Sequence, residues 1–137
     1  NDRNVSISGI RTHGIGASIV LMGGTNIKLT GDIADVLASG VSDSVFSNNF
    51  LGGLSGIGLA DGSTGNIIRD NTVQAIAGIS VDLGSTGNTI LKNTVTDLPD
   101  PGFLHVNMYD DNPPPCVNRW KNNTFSTTGG AGAACIH

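Results

Sequence analysis

The sequence predicts an all-β fold, a parallel β-helix of about six coils that forms a single domain over residues 1–137. Two observations predict it. A short phrase of polar and apolar residues recurs about every 22 residues, and the chain's 20 glycines supply the turns that such short repeats need. A period in the low twenties with short β-rich pieces is typical of a solenoid, in which each repeat buries its inner face only against its neighbours.

The repeat is clearest in "STGNIIRDNTV" and "STGNTILKNTV", which place Asn71 and Asn93 22 residues apart. The same frame extends to both ends of the chain, with a short interval of 17 residues after the second repeat and a long interval of 30 before the last. The register of the second repeat is left open. The six predicted anchors are Ser8, Gly31, Asn48, Asn71, Asn93 and Asn123.

Two positions around each anchor predict the core. The residue two after the anchor is apolar in every repeat, and the residue three before it is apolar in all repeats except the second. A helical interpretation fails because no apolar stripe recurs at i, i+3, i+4 and i+7. The first set is Ile10, Ile33, Phe50, Val73, Val95 and Phe125; the second is Val5, Lys28, Val45, Ile68, Ile90 and Trp120.

The anchor asparagines are predicted to form a structural ladder. Asparagine tolerates left-handed backbone angles and forms local hydrogen bonds, so it suits a bend at which its amide can bond to the coils on either side. Asn48, Asn71, Asn93 and Asn123 are the expected members. A role for these asparagines as sugar ligands is the alternative.

The net charge and the two cysteines limit the kinds of binding partner and the cellular compartment that we expect for this chain. The net charge of −4 provides no basic field for nucleic acid, and no apolar run is long enough to span a membrane. Cys116 and Cys135 are predicted to form a disulfide, which persists in oxidising compartments. Two buried free thiols are the alternative.

The phrases "GNIIRDNTV" and "GNTILKNTV" resemble the right-handed parallel β-helix repeat proteins of the pectin-lyase-like superfamily. The ending "CVNRWKNNTFSTTGGAGAACIH" resembles the last coil of many secreted bacterial members. The superfamily includes pectate lyases, polygalacturonases, alginate epimerases and a periplasmic copper-insertion factor. The resemblance therefore implies a right-handed helix and a secreted or periplasmic location, but no particular reaction.

The two ends of the predicted helix differ. Trp120 and Phe125 are bulky enough to plug a last coil, which a Cys116–Cys135 bridge would pin, so the C-terminal coil is predicted to be capped. The first coil shows no cap. This predicts either that residues 1–137 are the C-terminal part of a longer β-helix, or that self-association occurs through that coil.

The long interval from Asn93 to Asn123 is the first place to look for chemistry, because insertions in solenoids often form the binding face. The resemblance implies that an enzyme of this kind has charged residues on an outer sheet face. His105, Asp82 and either Arg69 or Lys92 are the catalytic candidates, and they are expected to converge in a groove. Arg69, Lys92 and Lys121 fall near one column of adjacent repeats.

Ligand-binding candidates lie in the same interval. Asn107 is expected on the same side of its strand as His105, with Asp82 stacked beside it one coil away. Asp110 and Asp111 precede three prolines and are either turn formers or ligands of Ca²⁺, which is the one cofactor considered. No other metal site is predicted.

Three functions remain open, so the sequence does not decide whether the chain is an enzyme. The first is a secreted, non-catalytic β-solenoid that binds glycan or forms a surface scaffold. The second is a lyase, epimerase or hydrolase that acts on acidic polysaccharide. The third is a structural subunit of a fibre or surface assembly.

Overall fold

The computed structural model describes residues 3–11, 18–98 and 105–137. These residues form β-strands and one 3₁₀ turn at Ala133–Cys135. The strands are β1 Ser6–Ser8, β2 Ser18–Met22, β3 Lys28–Thr30, β4 Asp35–Ser39, β5 Val45–Ser47, β6 Phe50–Ala60, β7 Ile67–Arg69, β8 Thr72–Val81, β9 Thr89–Leu91, β10 Thr94–Asp97, β11 Val106–Asp110, β12 Arg119–Lys121 and β13 Thr128–Gly129.

The strands form two parallel sheets, and the chain passes from one to the other in each repeat. Sheet A has six strands in the order β1-β3-β5-β7-β9-β12. Sheet B has seven, in the order β13-β11-β8-β6-β4-β2, and β10 also pairs with β8. Every strand pair is parallel. The prediction of an all-β chain built from parallel strands is therefore confirmed.

The core lies between the inner faces of the two sheets. Each strand of sheet A puts its central residue inward, and these residues stack in register along the sheet. The inner column of sheet B is likewise apolar and buried. The column of sheet A is Ile7, Leu29, Phe46, Ile68, Ile90 and Trp120; that of sheet B is Ile19, Val36, Ile57, Ile79 and Met108.

The predicted frame is wrong by one residue in the second and third repeats and by two in the first, where Ile7 rather than Val5 stacks on Leu29. Ile68 stacks on Phe46 and not on Val45, and Val73 stacks on Leu51 and not on Phe50. The expected core residue Phe50 is 50% exposed. The one-residue shift arises because "DSVFSNNF" offers two adjacent asparagines, and such a shift moves every strand side chain to the opposite face.

An asparagine ladder runs along the inside of the bend that follows sheet A. The Asn71 Nδ2 donates to Asn93 Oδ1 at 2.9 Å and to the Phe46 carbonyl oxygen at 3.0 Å. Asn93 repeats the pattern with Asn123. The ladder is confirmed for Asn71, Asn93 and Asn123. Its fourth member is Asn49, whose Nδ2 donates to Asn71 Oδ1 at 3.0 Å.

Asn48, the predicted member, lies outside the ladder. It is exposed and has a left-handed backbone, with φ of 57°. Asp70, Lys92 and Asn122 have the same conformation at the equivalent positions. In each repeat the left-handed residue turns the chain and the next residue points inward, so the two adjacent asparagines have separate roles.

A second ladder, which the sequence reasoning did not identify, occupies the bend before sheet A. The Asn66 Nδ2 donates to Asn88 Oδ1 at 3.0 Å, and the Asn88 Nδ2 donates to Asn118 Oδ1 at 3.2 Å. Ser44 continues the row, with its N–H bonded to Asn66 Oδ1. The two ladders satisfy buried backbone N–H groups at both ends of β3, β5, β7 and β9.

The short interval of 17 residues and the long interval of 30 residues change the chain length in and around sheet B, not the strands of sheet A. The pairs Thr94–Thr72, Val106–Ala77 and Arg119–Thr89 are 22, 29 and 30 residues apart. Most of the eight extra residues of the long repeat therefore lie between β10 and β11. The residues preceding β11, at 99–104, lie outside the described part of the chain.

The C-terminal segment is tied to the last repeat by a disulfide and a buried polar cluster. Cys116 and Cys135 are bonded, which rules out the free thiols. The Trp120 indole N–H donates to Asp110 Oδ2 at 2.9 Å, and both residues are buried. The Phe125 ring is half-buried against the same core.

Candidate functional site

The outer face of sheet A carries a group of cationic side chains. In β7 and β12 the outer residues are exposed and the central one is buried, so Arg69, Arg119 and Lys121 point away from the core. Lys28 has the same place in β3, and Lys92 directly follows β9. These five residues are named the cationic face.

The register brings members of the cationic face close together. Arg119 and Lys121 are two residues apart on one strand, which corresponds to about 7 Å. Arg69 and Lys121 share a column with Leu91 between them, a separation of about 10 Å. The predicted column is thus confirmed for Arg69 and Lys121. Lys92 lies one residue beyond Leu91, in the left-handed turn.

Negative charge at the cationic face is sparse. Asp43 precedes β5, and Asp70 follows β7 and forms an ion pair with Arg69, with an N–O distance of 2.7 Å. Both side chains of that pair are partly exposed, so it contributes little to stability. Within the described residues, neither Arg119 nor Lys121 forms an ion pair.

Sheet B has the opposite charge. Its described strands contain no Lys or Arg, whereas Asp61, Asp82 and Asp111 lie at the carboxyl ends of neighbouring strands. Burial raises the pKa of Asp82, and the charges of Asp111 and Asp61 raise it further. The pKa of Tyr109 is raised by its hydrogen bond to Asp111, whose Oδ1 accepts from the phenol at 3.1 Å. The chain's charges are therefore segregated between the two sheets.

A large cleft adjoins the cationic face beside the last strand of sheet A. Its volume is about 590 Å³. Arg119, Lys121 and His137 line it together with the buried Trp120 and the disulfide. The cleft therefore combines a rigid floor with positive charge, which suits an anionic ligand.

His105 and Asp82 lie at opposite ends of β11. His105 comes just before the Val106–Ala77 pair, and Asp82 comes just after the Asp110–Val81 pair. Six residues of extended chain separate them along the strand direction, which is about 20 Å. Arg69 and Lys92 belong to sheet A. The expected convergence of His105 and Asp82 in one groove is therefore wrong.

The His105 imidazole and Asn107 are both held by the local structure. The His105 Nδ1 lies 3.5 Å from Asp97 Oδ1, and the His105 side chain is only 12% exposed. Asn107 is fully buried; its Nδ2 donates to Asp97 at 2.6 Å and its Oδ1 accepts from the Ser126 and Thr127 N–H groups. The expectation that Asn107 binds a ligand is contradicted, because its amide is used inside the fold. Its expected stacking beside Asp82 is also wrong.

Asp110 is a structural residue rather than a ligand-binding one. Its carboxylate is buried and accepts hydrogen bonds from Asn112, Asn118 and Trp120. Asp111 remains partly exposed, next to Asp82. In the described part of the chain, His, Cys and Asp side chains form no group of three or more that could hold a metal ion.

Sequence reasoning overlooked Lys28 and Arg119 on the cationic face and the carboxylate of Asp35 on sheet B. The outward direction of Lys28 and Arg119 could have been predicted, because each is next to a residue of the core column and successive side chains of a strand point to opposite faces. For Asp35 there was no signal, because its surroundings depend on how the shortest repeat meets the next one.

Comparisons with protein-family models, curated proteins and solved structures find no match for this chain. In the described residues, no helix is long and apolar enough to cross a membrane.

Proposed function

We propose that the chain is a right-handed parallel β-helix of about six coils with a closed C-terminal end, and that it binds acidic polysaccharide without chemical turnover along the cationic face. The alternation between sheets A and B supports the helix, since each repeat contributes to both sheets. Right-handedness is what parallel strands joined by crossover connections adopt in nearly all proteins.

The segregation of charge carries the binding proposal. Five of the chain's seven Lys and Arg residues belong to the cationic face, although the net charge is −4. A parallel sheet on which Lys121 lies about 7 Å from Arg119 and about 10 Å from Arg69 can contact successive charges of an extended polyanion. Because the side chains are exposed, the face meets such a polymer with a small desolvation cost.

Two further properties are part of the proposal. The Cys116–Cys135 disulfide favours a secreted or periplasmic location, where acidic polysaccharides occur and where disulfides persist. Turnover is not proposed, because His105 and Asp82 lie at opposite ends of a strand and Asn107 and Asp110 are committed to internal hydrogen bonds. Self-association through the first coil, a scaffold role and Ca²⁺ binding remain predictions.

Binding of pectate and alginate fragments, measured by isothermal titration calorimetry at low salt, tests the function. A Lys or Arg beside an anionic surface contributes about 1 kcal/mol. The double variant Arg119→Gln/Lys121→Gln should therefore bind about tenfold or more weakly, and added NaCl should weaken the wild type. Neutral dextran should not bind.

The matched control is Arg3→Gln/Arg11→Gln, which removes two exposed cations outside the cationic face. Equal weakening by both double variants would show an unspecific charge effect and contradict the proposal. The same samples, followed at 235 nm with and without Ca²⁺, should form no unsaturated product; its appearance would identify a lyase instead.

A further inference from the structure

A second cavity, on sheet B, has an unsatisfied carboxylate in its wall. Its volume is about 180 Å³, and Asp35, Leu37, Ser55, Gly58 and Ser80 are among the residues that line it. It is separate from the cationic face, which belongs to sheet A. We refer to it as the Asp35 pocket.

The Asp35 pocket exists because one repeat is shorter than the next. Asp32 and Asn49 occupy equivalent ladder positions 17 residues apart. From Asp32 the chain reaches Val36 in four residues, whereas from Asn49 it needs eight to reach Ile57, the partner of Val36. The described pairing of β4 with β6 therefore starts only at that pair, and the first half of β6 extends beyond β4. Asp35 lies at this step.

The Asp35 carboxylate has an unused acceptor. The residue is 3% exposed, and its Oδ1 accepts no hydrogen bond from any residue of the described structure. Burial raises the pKa of Asp35, and a hydrogen bond from the Ser55 backbone partly offsets this. Buried polar atoms without partners are rare in proteins and point to a missing partner, and an atom at the wall of a cavity is open to a water molecule, an ion or a ligand.

The remaining wall defines the chemistry of that ligand. The described residues that line the pocket include no cationic side chain, so none of them competes with a positively charged ligand for the carboxylate. Ser55 and Ser80 provide two further hydroxyl acceptors, and Leu37 and Ala77 provide apolar wall. An ammonium group has three donors and no acceptor, and it needs a carboxylate to compensate its burial.

Gly58 keeps the cavity open. A methyl group at this position would lie 3.3 Å from the Leu37 Cδ1 and 3.4 Å from the Ser80 Oγ, that is, between the two side walls. The backbone of Gly58 does not have a positive φ, so alanine fits the chain conformation. The substitution Gly58→Ala thus obstructs the pocket without contact to Asp35.

We infer that the Asp35 pocket binds a primary ammonium group carried on a slender aliphatic or sugar framework, with the Asp35 carboxylate as its counter-ion and the Ser55 and Ser80 hydroxyls as additional acceptors. A lysine side chain and an amino sugar share this chemistry.

The test is titration of the protein with n-butylammonium and, separately, with n-butanol, followed by the amide signals of Gly58 and Ala77 in NMR spectra. The wild type should bind the ammonium at least tenfold more tightly than the alcohol. Asp35→Asn should remove that preference, and Gly58→Ala should weaken both ligands. Asp61→Asn, a carboxylate change on the same sheet outside the pocket, should leave both affinities unchanged.

Thermal unfolding of each variant shows whether the fold persists, and Gly58→Ala gives a second, independent obstruction if Asp35→Asn is poorly folded. Equal affinity for ammonium and alcohol in the wild type would overturn the inference, as would an unchanged preference in Asp35→Asn. Titrations with Nα-acetyl-lysine methylamide and with glucosamine then distinguish the two sources: the tighter ligand identifies the framework.

Discussion

Sheet A and sheet B are built from the same repeats but differ in their tolerance of length. In sheet A every described strand has three residues, and the two ladder positions that flank it are five residues apart in each of the last four repeats, as in Asn66–Asn71 and Asn88–Asn93. In sheet B the strands range from two to eleven residues. The short and long intervals are both absorbed there.

The difference has a physical cause. The strands β7 and β9 are each held at both ends by inward asparagine amides that bond to the repeats on either side, so a change of length would move one ladder out of register. In sheet B, no pair of asparagine ladders brackets the described residues between β10 and β11, both of which pair with β8. This teaches that the repeat is defined by its bends rather than by its strands.

The largest difference between the two sheets is expected when one residue is inserted into each of them. A glycine inserted between Thr89 and Ile90 should cost about 4 kcal/mol or more in unfolding free energy, because one ladder or the core column must leave register. A glycine inserted after Leu98, between β10 and β11, should cost less than about 1 kcal/mol. Urea unfolding measures both. Similar losses would mean that the bends are not the constraint.

A smaller difference in stability is expected between substitutions of a ladder asparagine and of the left-handed residue that precedes it. Asn71→Ala removes the acceptor of Asn49 and the donor to Phe46, leaving buried groups unpaired, and should cost about 3 to 4 kcal/mol. Asn48→Ala changes an exposed left-handed residue and should cost about 1 kcal/mol. The ratio of the two losses is the quantity to measure, again by urea unfolding; a larger loss at Asn48 would restore the register predicted from the sequence.

The smallest expected effect is the pH dependence of stability caused by Asp35, which lies where the short repeat meets the next one in sheet B. Since the pKa of Asp35 is raised above the ordinary value of 3.8, the folded state holds this proton more tightly than the unfolded chain does. Its contribution to the unfolding free energy therefore falls as the pH rises from 3.8 through the raised pKa. Asp35→Asn should lack this loss and be about 1 kcal/mol more stable than the wild type at neutral pH.

Thermal unfolding between pH 3.5 and 8 checks that sign, with Asp43→Asn as the exposed control. If the difference between Asp35→Asn and the wild type stays constant with pH, Asp35 has no unusual titration. If the wild type gains stability relative to the variant as the pH rises, the carboxylate has a partner in the folded protein.

Much of sheet A could be predicted from the sequence, because its constraints are local. The phrase "GNIIRDNTV" contains the ladder residue, the core residue and the left-handed turn residue in nine positions, and it recurs nearly unchanged. The predicted register was wrong in the first three repeats, where the sequence has no asparagine anchor or offers the adjacent pair Asn48 and Asn49.

Little of the candidate site could be predicted. Residues near each other in the long interval, such as His105 and Asp110, lie at opposite ends of one strand.

The sequence by itself determined the parallel all-β fold, the disulfide partners and three members of the ladder, because stacked repeats bury equivalent residues against one another. The tertiary structure alone decided that Asn49 rather than Asn48 points inward, that Asn107 and Asp110 are internal, and that positive charge gathers on sheet A. These outcomes depend on which face each strand turns outward and on where unequal repeats meet. A linear pattern does not specify either, since a shift of one residue reverses the faces and a difference of a few residues creates a step.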